Sequence, residues 1–162
     1  MSKKLLMLLA LFISVVLISG CVSQKNETTE SKFIPQTNLP SGFTYMGTNP
    51  EATIDTGTSQ VKAIEGVYRH NKDDLYVQVI KNENPEALIA QYKLKYKDAN
   101  YDPFEEVYVN GHKATKVTDY STINGKQEPR YTMIWATEGF MLIVGGSSDV
   151  QSVMSLASAT GG

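Results

Sequence analysis

The chain is poor in the side chains that carry metal and redox chemistry, with one cysteine and two histidines among 162 residues. A lone cysteine cannot form an internal disulfide, so packing must stabilise the fold. The HExxH and CxxC motifs, which place zinc ligands at short spacing, do not occur. We therefore predict no metal site and no cofactor.

Motifs for nucleophilic catalysis are missing too. No Gly-x-Ser-x-Gly elbow occurs. His70 follows a predicted strand and His112 follows a tight turn, and both are interpreted as exposed turn residues rather than bases. The pairs Asp73-Asp74 and Glu105-Glu106 are interpreted as solvated charges, because neighbouring strand residues point to opposite faces. We predict no catalytic residue and a protein that is not an enzyme.

Phosphate-binding glycine loops and broad basic patches are also absent. Gly145-Gly146-Ser147-Ser148 comes nearest to an anion loop, but ordinary capping of a following helix explains it better. The formal charge of −2 changes to −4 if an N-terminal signal carrying Lys3 and Lys4 is removed. This mildly acidic balance argues against a nucleic-acid partner.

The N-terminus has the proportions of a secretory signal. Lys3 and Lys4 precede an apolar run from Leu5 to Ile18, and small residues follow at Ser19-Gly20. A permanent membrane helix is the alternative, but the run is shorter than the roughly 20 residues that span a bilayer. We predict a signal peptide over residues 1–20.

Ile18-Ser19-Gly20-Cys21 resembles the lipobox of bacterial and archaeal lipoproteins. The resemblance implies cleavage before Cys21 and attachment of lipid to the Cys21 sulfur. The mature domain would then be anchored to the cell membrane by lipid and would face outside the cytoplasm. A two-chain lipid holds firmly, since each buried CH₂ contributes about 0.8 kcal/mol.

Residues 21–40 are predicted to be the lipidated cysteine and a flexible tether, because polar residues dominate and no apolar periodicity is present. Asn26-Glu27-Thr28 is a glycosylation sequon in that tether, although an unmodified Asn26 is the favoured interpretation. Residues 41–162 have the length of one domain.

Strands are predicted over most of this domain. A short first strand at Phe43 to Met46 precedes a hairpin formed by residues 61–70 and 75–80. Asn110-Gly111, Asn124-Gly125 and Glu138-Gly139 predict three further reversals that join four strands. The strands at residues 130–137 and 140–144 are apolar on both faces, which places them centrally.

Two amphipathic helices complete the pattern. Pro85-Asp98 starts with Asn84 as N-cap and Pro85 at the first helical position. Ser148-Ala159 starts with a capping-box pattern formed by Ser148 and Gln151. The predicted class is α+β, an antiparallel sheet of about six or seven strands packed with two helices.

This order of elements resembles the PsbP-like proteins and small lipoprotein α+β domains. The likeness lies in Tyr131 to Trp135, Gly139 to Gly145, Val150 to Leu156 and the strand approaching Asn110-Gly111. The resemblance implies a binding or assembly factor without chemistry of its own. We therefore expect a non-catalytic lipoprotein that binds an envelope protein. Clustered tyrosines agree with such a surface, because tyrosine is enriched at interfaces.

Two other functions stay open at this point. One is a carrier or sensor of an apolar ligand held between the sheet and the Pro85-Asp98 helix, with Met133, Trp135, Phe140 and Met141 as its lining. The other is a surface hydrolase, for which no pair of nucleophile and base can be named.

Overall fold

The structure is a computed structural model that describes residues 29–161. One antiparallel sheet of seven strands carries two α-helices and two short 3-10 helices, so the α+β class is confirmed. In chain order the elements are η1 (Thr29–Phe33), β1 (Phe43–Asp55), β2 (Gln60–His70), β3 (Asp73–Lys81), α1 (Pro85–Lys93), η2 (Leu94–Tyr96), β4 (Phe104–Val109), β5 (His112–Ile123), β6 (Lys126–Thr137), β7 (Phe140–Ser147) and α2 (Val150–Ala159).

The strands lie in the order β1-β2-β3-β7-β6-β5-β4. The predicted reversals are confirmed, since β2 pairs with β3, β4 with β5, β5 with β6, and β6 with β7. Asn110 and Gly111 have φ angles of 49° and 82°, and Asn124 and Gly125 have 51° and 77°. These left-handed angles suit the tight turns that join right-twisted strands. The fully covered strand β7 lies at the centre, as predicted.

The first strand is much longer than predicted. β1 extends from Phe43 to Asp55 and continues through Asn49-Pro50, whereas the predicted strand ended at Met46. Its register with β2 shifts between Tyr45 and Gly47 and again between Asn49 and Ala52. β1 is an edge strand, so a proline can be accommodated at a bulge without removing a hydrogen bond from a central ladder.

The sheet has a core layer on each face. On one face α2 and η1 cover the larger layer, whose biggest fully buried side chains are Tyr68, Leu75, Met133, Trp135, Leu142 and Leu156. On the other face α1 covers a layer that includes Ile80, Leu88, Ile89, Tyr92, Val117, Ile134, Met141 and Ile143. The two helices therefore lie on opposite faces of the sheet.

Both helices differ in extent from the prediction. Asn84 caps α1 as expected, because its side chain accepts a hydrogen bond from the amide of Ala87 at 3.1 Å. The α-helix ends at Lys93, however, and η2 replaces its predicted last turns. At α2 the N-cap is Asp149 and not Ser148, because β7 continues to Ser147 and the Asp149 carboxylate accepts from the Gln151 amide.

The domain begins earlier than expected. Thr29–Phe33 forms η1, and Phe33 and Ile34 are only 4% and 3% exposed in the core on the α2 face. This part of the predicted tether is therefore packed, with the Phe33 ring centroid 5.2 Å from that of Phe140. Over residues 29–161, no helix has the length and apolar character needed to cross a bilayer.

Candidate functional site

The two modification sites predicted from the sequence, Cys21 and Asn26, lie outside the described residues. Of the two histidines, His112 is exposed at the start of β5, as predicted. His70 is different, because its ring is half-buried and stacks on Phe43 with centroids 4.4 Å apart. The interpretation of His70 as an exposed turn residue is therefore wrong.

His70 belongs to a short chain of hydrogen bonds at the start of α2. Its Nδ1 atom lies 2.9 Å from the Ser152 hydroxyl, and that hydroxyl donates to the Asp149 carboxylate at 2.6 Å. A hydroxyl has one proton, so Ser152 accepts from His70 while it donates to Asp149. This chain connects the end of β2 to the N-terminus of α2.

The same chain gives no nucleophile in this arrangement. An activated serine must hand its proton to the base and must reach a substrate. Ser152 instead gives its proton to Asp149 and is only 4% exposed. The pair of His70 and Ser152 therefore positions α2.

A second set of polar contacts joins the start of β3 to the end of β7. The Ser147 hydroxyl donates to Asp73, and the Arg130 guanidinium donates to the Gly146 carbonyl at 2.8 Å. Arg130 also lies 3.6 Å from the Asp73 carboxylate. Ser147 accepts the amide proton of Asp149, so this set is continuous with the cap of α2. The capping interpretation of the Gly145-Gly146-Ser147-Ser148 loop agrees with these contacts.

The acidic pairs do not converge on a metal site. Asp74 is paired with Arg69, while Glu105 and Glu106 contact Lys116 and Lys113. Within residues 29–161, no group of three or more metal-binding side chains comes together.

The residues proposed for an apolar ligand lie on different faces. Met133, Trp135 and Phe140 pack on the α2 face of the sheet, and Met141 packs under α1. The space between the sheet and α1 is filled by Leu88, Ile89 and Tyr92, each less than 8% exposed. The four side chains therefore do not line a common pocket beneath α1.

A small open depression of about 180 Å³ lies between η1 and the ends of β2 and β3. Its lining includes Glu30, Pro50, Lys62, Ile64 and Lys81. This volume is below the roughly 300 Å³ that small-molecule pockets usually exceed.

The sheet face that carries α1 is uncovered beyond the end of that helix. Val117 on β5 is buried in the core on the α1 face, whereas Asp119, two residues further along the same face, is exposed. Three tyrosines lie near this carboxylate: Tyr76, Tyr96 and Tyr101. Tyr120 follows Asp119 in β5 and projects from the opposite face, but its ring contacts the Tyr101 ring. We call the set formed by Asp119, Tyr76, Tyr96, Tyr101 and Tyr120 the Asp119 surface.

Local structure explains how these side chains meet. Tyr96 is held by η2 with its ring edge-on to Phe104 at 5.6 Å. Tyr101 lies in the loop before β4, and the Pro103 carbonyl in that loop accepts from the Thr118 amide at 2.8 Å. The hydroxyl of Tyr101 therefore reaches Asp119 at a long 3.5 Å, and its ring is edge-on to Tyr120 at 5.2 Å.

The pKa values of the tyrosines also indicate that their hydroxyls lie near Asp119. Burial, followed by the charge of Asp119, raises the pKa of Tyr96 to about 12 and also raises that of Tyr101. Burial raises the pKa of Tyr76 as well, against a hydrogen bond with Thr132 and with smaller contributions from Glu65 and Asp119. These hydroxyls stay protonated at neutral pH and can serve as hydrogen-bond donors.

The Asp119 surface was not predicted. The sequence drew attention to the clustered tyrosines, but it did not show which of them converge. The alternation of Val117, Asp119 and Ser121 along β5 was the available signal, because it puts a charge directly beside a buried position of the same face.

No family model matches the chain, and no curated protein matches it. A crystal structure of a GTP binding regulator from Thermotoga maritima is similar over 75% of this chain and 78% of that chain, with 12% sequence identity and a TM-score of 0.46. A match at this level does not identify a function.

Proposed function

We propose that this chain is a membrane-anchored, extracytoplasmic lipoprotein that acts as a non-catalytic binding module for another envelope protein. The anchor is the lipid on Cys21, which the lipobox-like residues Ile18 to Cys21 support. The binding surface is the Asp119 surface. The resemblance to PsbP-like domains in the order of elements agrees with a binding or assembly role.

The binding role rests on one observation, which is that α1 covers only part of its sheet face and leaves side chains exposed beyond the end of the helix. Tyr120 is 48% exposed at the rim of the Asp119 surface, and Asp119 beside it is exposed too. Tyrosines supply rigid contact area together with a polar tip, which is why they are enriched at the centres of protein interfaces. An open surface of this composition suits a protein partner better than a small molecule, which usually binds in an enclosed pocket.

The two parts of the proposal are tested in one experiment on the full chain. Lipid labelling and fractionation of Cys21→Ser should show loss of the label and release from membranes. Continued labelling of this variant would exclude Cys21 as the anchor.

Affinity capture from solubilised membranes then compares wild type with Tyr120→Ser. Loss of an exposed interface tyrosine should reduce recovery of the partner about tenfold, corresponding to roughly 1.4 kcal/mol. Tyr108→Ser is the matched control, because Tyr108 is 64% exposed on β4 outside the Asp119 surface. Equal recovery with both variants, or repeated capture of no partner by wild type, would contradict the binding role.

A further inference from the structure

Asp119 lacks a cationic partner among the ion pairs of residues 29–161. Arg130 is its direct neighbour across the strands, because the two residues are paired between β5 and β6. The Arg130 guanidinium instead contacts the Gly146 carbonyl, Asp73 and the Ser121 hydroxyl. The Oδ1 atom of Asp119 accepts from the Tyr120 amide at 2.7 Å and from the Tyr101 hydroxyl at 3.5 Å, so the carboxylate has hydrogen bonds but no ion pair within residues 29–161.

Aromatic rings stand beside this carboxylate. Tyr101 contacts Asp119 through its hydroxyl, and the edge-on ring of Tyr120 extends the aromatic surface towards solvent. The face of an aromatic ring attracts cations through its quadrupole. The chain uses this contact nearby, since the Lys95 ammonium lies 4.7 Å from the centre of the Tyr92 ring.

We infer that Asp119, Tyr101 and Tyr120 form a subsite for one basic side chain, an arginine or a lysine, of a partner protein. This inference rests on the proposed function and specifies the chemistry of the partner. A guanidinium or ammonium group at this place would pair with the carboxylate while its stem or plane packs against the tyrosine rings.

The openness of the subsite favours a side chain over a free small cation. Small ligands usually bury most of their surface in a concave pocket. Asp119 and Tyr120 are both exposed, so a free amine would stay largely in water here. A macromolecule can instead hold its basic residue in place through contacts with the surrounding surface.

The charges near the subsite are mixed, so the binding of a basic side chain depends on Asp119 itself. Glu128 lies on β6 opposite Ser121, which puts its carboxylate on the same sheet face as Asp119. Arg130 and Lys126 lie on that face of β6 too, so these strand residues give the face no excess of negative charge.

The test measures binding of a fluorescent tetra-arginine peptide to the full chain in detergent. A tetra-citrulline peptide has nearly the same shape without the charge, and tetramethylammonium serves as the free small cation. We expect binding of tetra-arginine at least tenfold tighter than that of tetra-citrulline. Asp119→Asn should weaken it about tenfold and Tyr120→Leu severalfold, while thermal stability stays the same.

Asp98→Asn is the control, since Asp98 is an exposed carboxylate between η2 and Tyr101 and its loss changes the net charge equally. Its affinity should stay within about twofold of wild type. Equal weakening by Asp98→Asn and Asp119→Asn would overturn the subsite, because it would indicate general electrostatics. If tetramethylammonium occupied the subsite at a lower concentration than the peptide does, a free small cation would be the better ligand, and the assignment to a side chain would be overturned.

The outcomes separate this inference from the proposed function. If Asp119→Asn binds tetra-arginine as wild type does while Tyr120→Ser still loses the envelope partner, the binding role stands and the cation subsite is wrong. If Tyr120→Ser and Tyr108→Ser recover the partner equally, the binding surface itself is wrong, whatever the peptide does.

Discussion

Replacing Phe33 by alanine tests whether the segment at the start of the described chain belongs to the core. Phe33 is 4% exposed, and its ring packs against Phe140 with centroids 5.2 Å apart. A buried phenylalanine removes at least about 150 Å² from water, which at about 25 cal/mol per Å² amounts to roughly 4 kcal/mol as an upper value. Measured losses for such truncations in cores are about 3–5 kcal/mol.

We expect Phe33→Ala to lower the free energy of unfolding by about 3 kcal/mol, at the lower end of that range, because a segment near a chain end can detach before the sheet unfolds. The measurement is urea unfolding of the full chain followed by the fluorescence of Trp135, the only tryptophan, which is 1% exposed in the same core layer. The midpoint should fall with little change in the denaturant slope.

Lys32→Ala is the control for this change. The Lys32 ammonium lies 4.7 Å from the centre of the Phe33 ring, and its side chain is exposed. Loss of such an exposed cation–π contact should cost only about 0.5 kcal/mol. A loss below about 1 kcal/mol for Phe33→Ala would refute the packing of this segment and would restore the flexible tether that the sequence predicted.

Two further changes test the sheet and the cap of α2. A Cβ at Gly145 would lie 2.5 Å from the Thr132 hydroxyl oxygen. Gly145→Ala should therefore lower the free energy of unfolding by roughly 1–3 kcal/mol in urea titrations. An unchanged unfolding midpoint would contradict the close packing of Tyr76 and Thr132 over β7. Hydrogen bonds from the Ser152 hydroxyl and the Gln151 amide lower the pKa of Asp149. The ionised carboxylate therefore stabilises the folded state above the ordinary pKa of 3.8, and this stabilisation is lost as the pH falls through the lower pKa of the folded state. Wild type should therefore lose stability relative to Asp149→Asn as the pH falls below the ordinary pKa of 3.8, and parallel curves in acid titrations of unfolding would contradict the cap.

The predictions that succeeded depend on local chemistry. Asn110-Gly111 and Asn124-Gly125 determine their turns through the positive φ angles they adopt, and Asn84-Pro85 determines the start of α1 through a side-chain cap and a fixed φ. The central position of β7 followed from its apolar residues on both faces.

The predictions that failed depend on contacts between distant parts of the chain. Phe33 and Ile34 are two apolar residues in a polar stretch, and only the sheet shows that they complete a core layer. Pro50 has turn chemistry, but the edge position of β1 lets the strand continue. His70 and Ser152 are 82 positions apart, so their hydrogen bond leaves no local pattern in the sequence.

The Asp119 surface is also set by tertiary structure. β5 and β6 place Asp119 beside Arg130, and the contacts that turn Arg130 away come from β3 and from the end of β7. Tyr101 reaches the site through a loop whose position depends on β5. Composition could indicate an interface, but only the fold shows where the tyrosines meet.

The central claim is that the Asp119 surface meets an envelope partner, and site-specific photocrosslinking in intact cells tests it most directly. A photoreactive residue replaces Tyr120 in one variant and Glu138 in another, because Glu138 is exposed in the turn after β6, at the far end of that strand from Arg130 and Asp119. We predict a defined crosslinked protein from position 120, lost when Asp119→Asn is added, and none from position 138. Crosslinking of the same protein from both positions, or from position 138 alone, would contradict the claim.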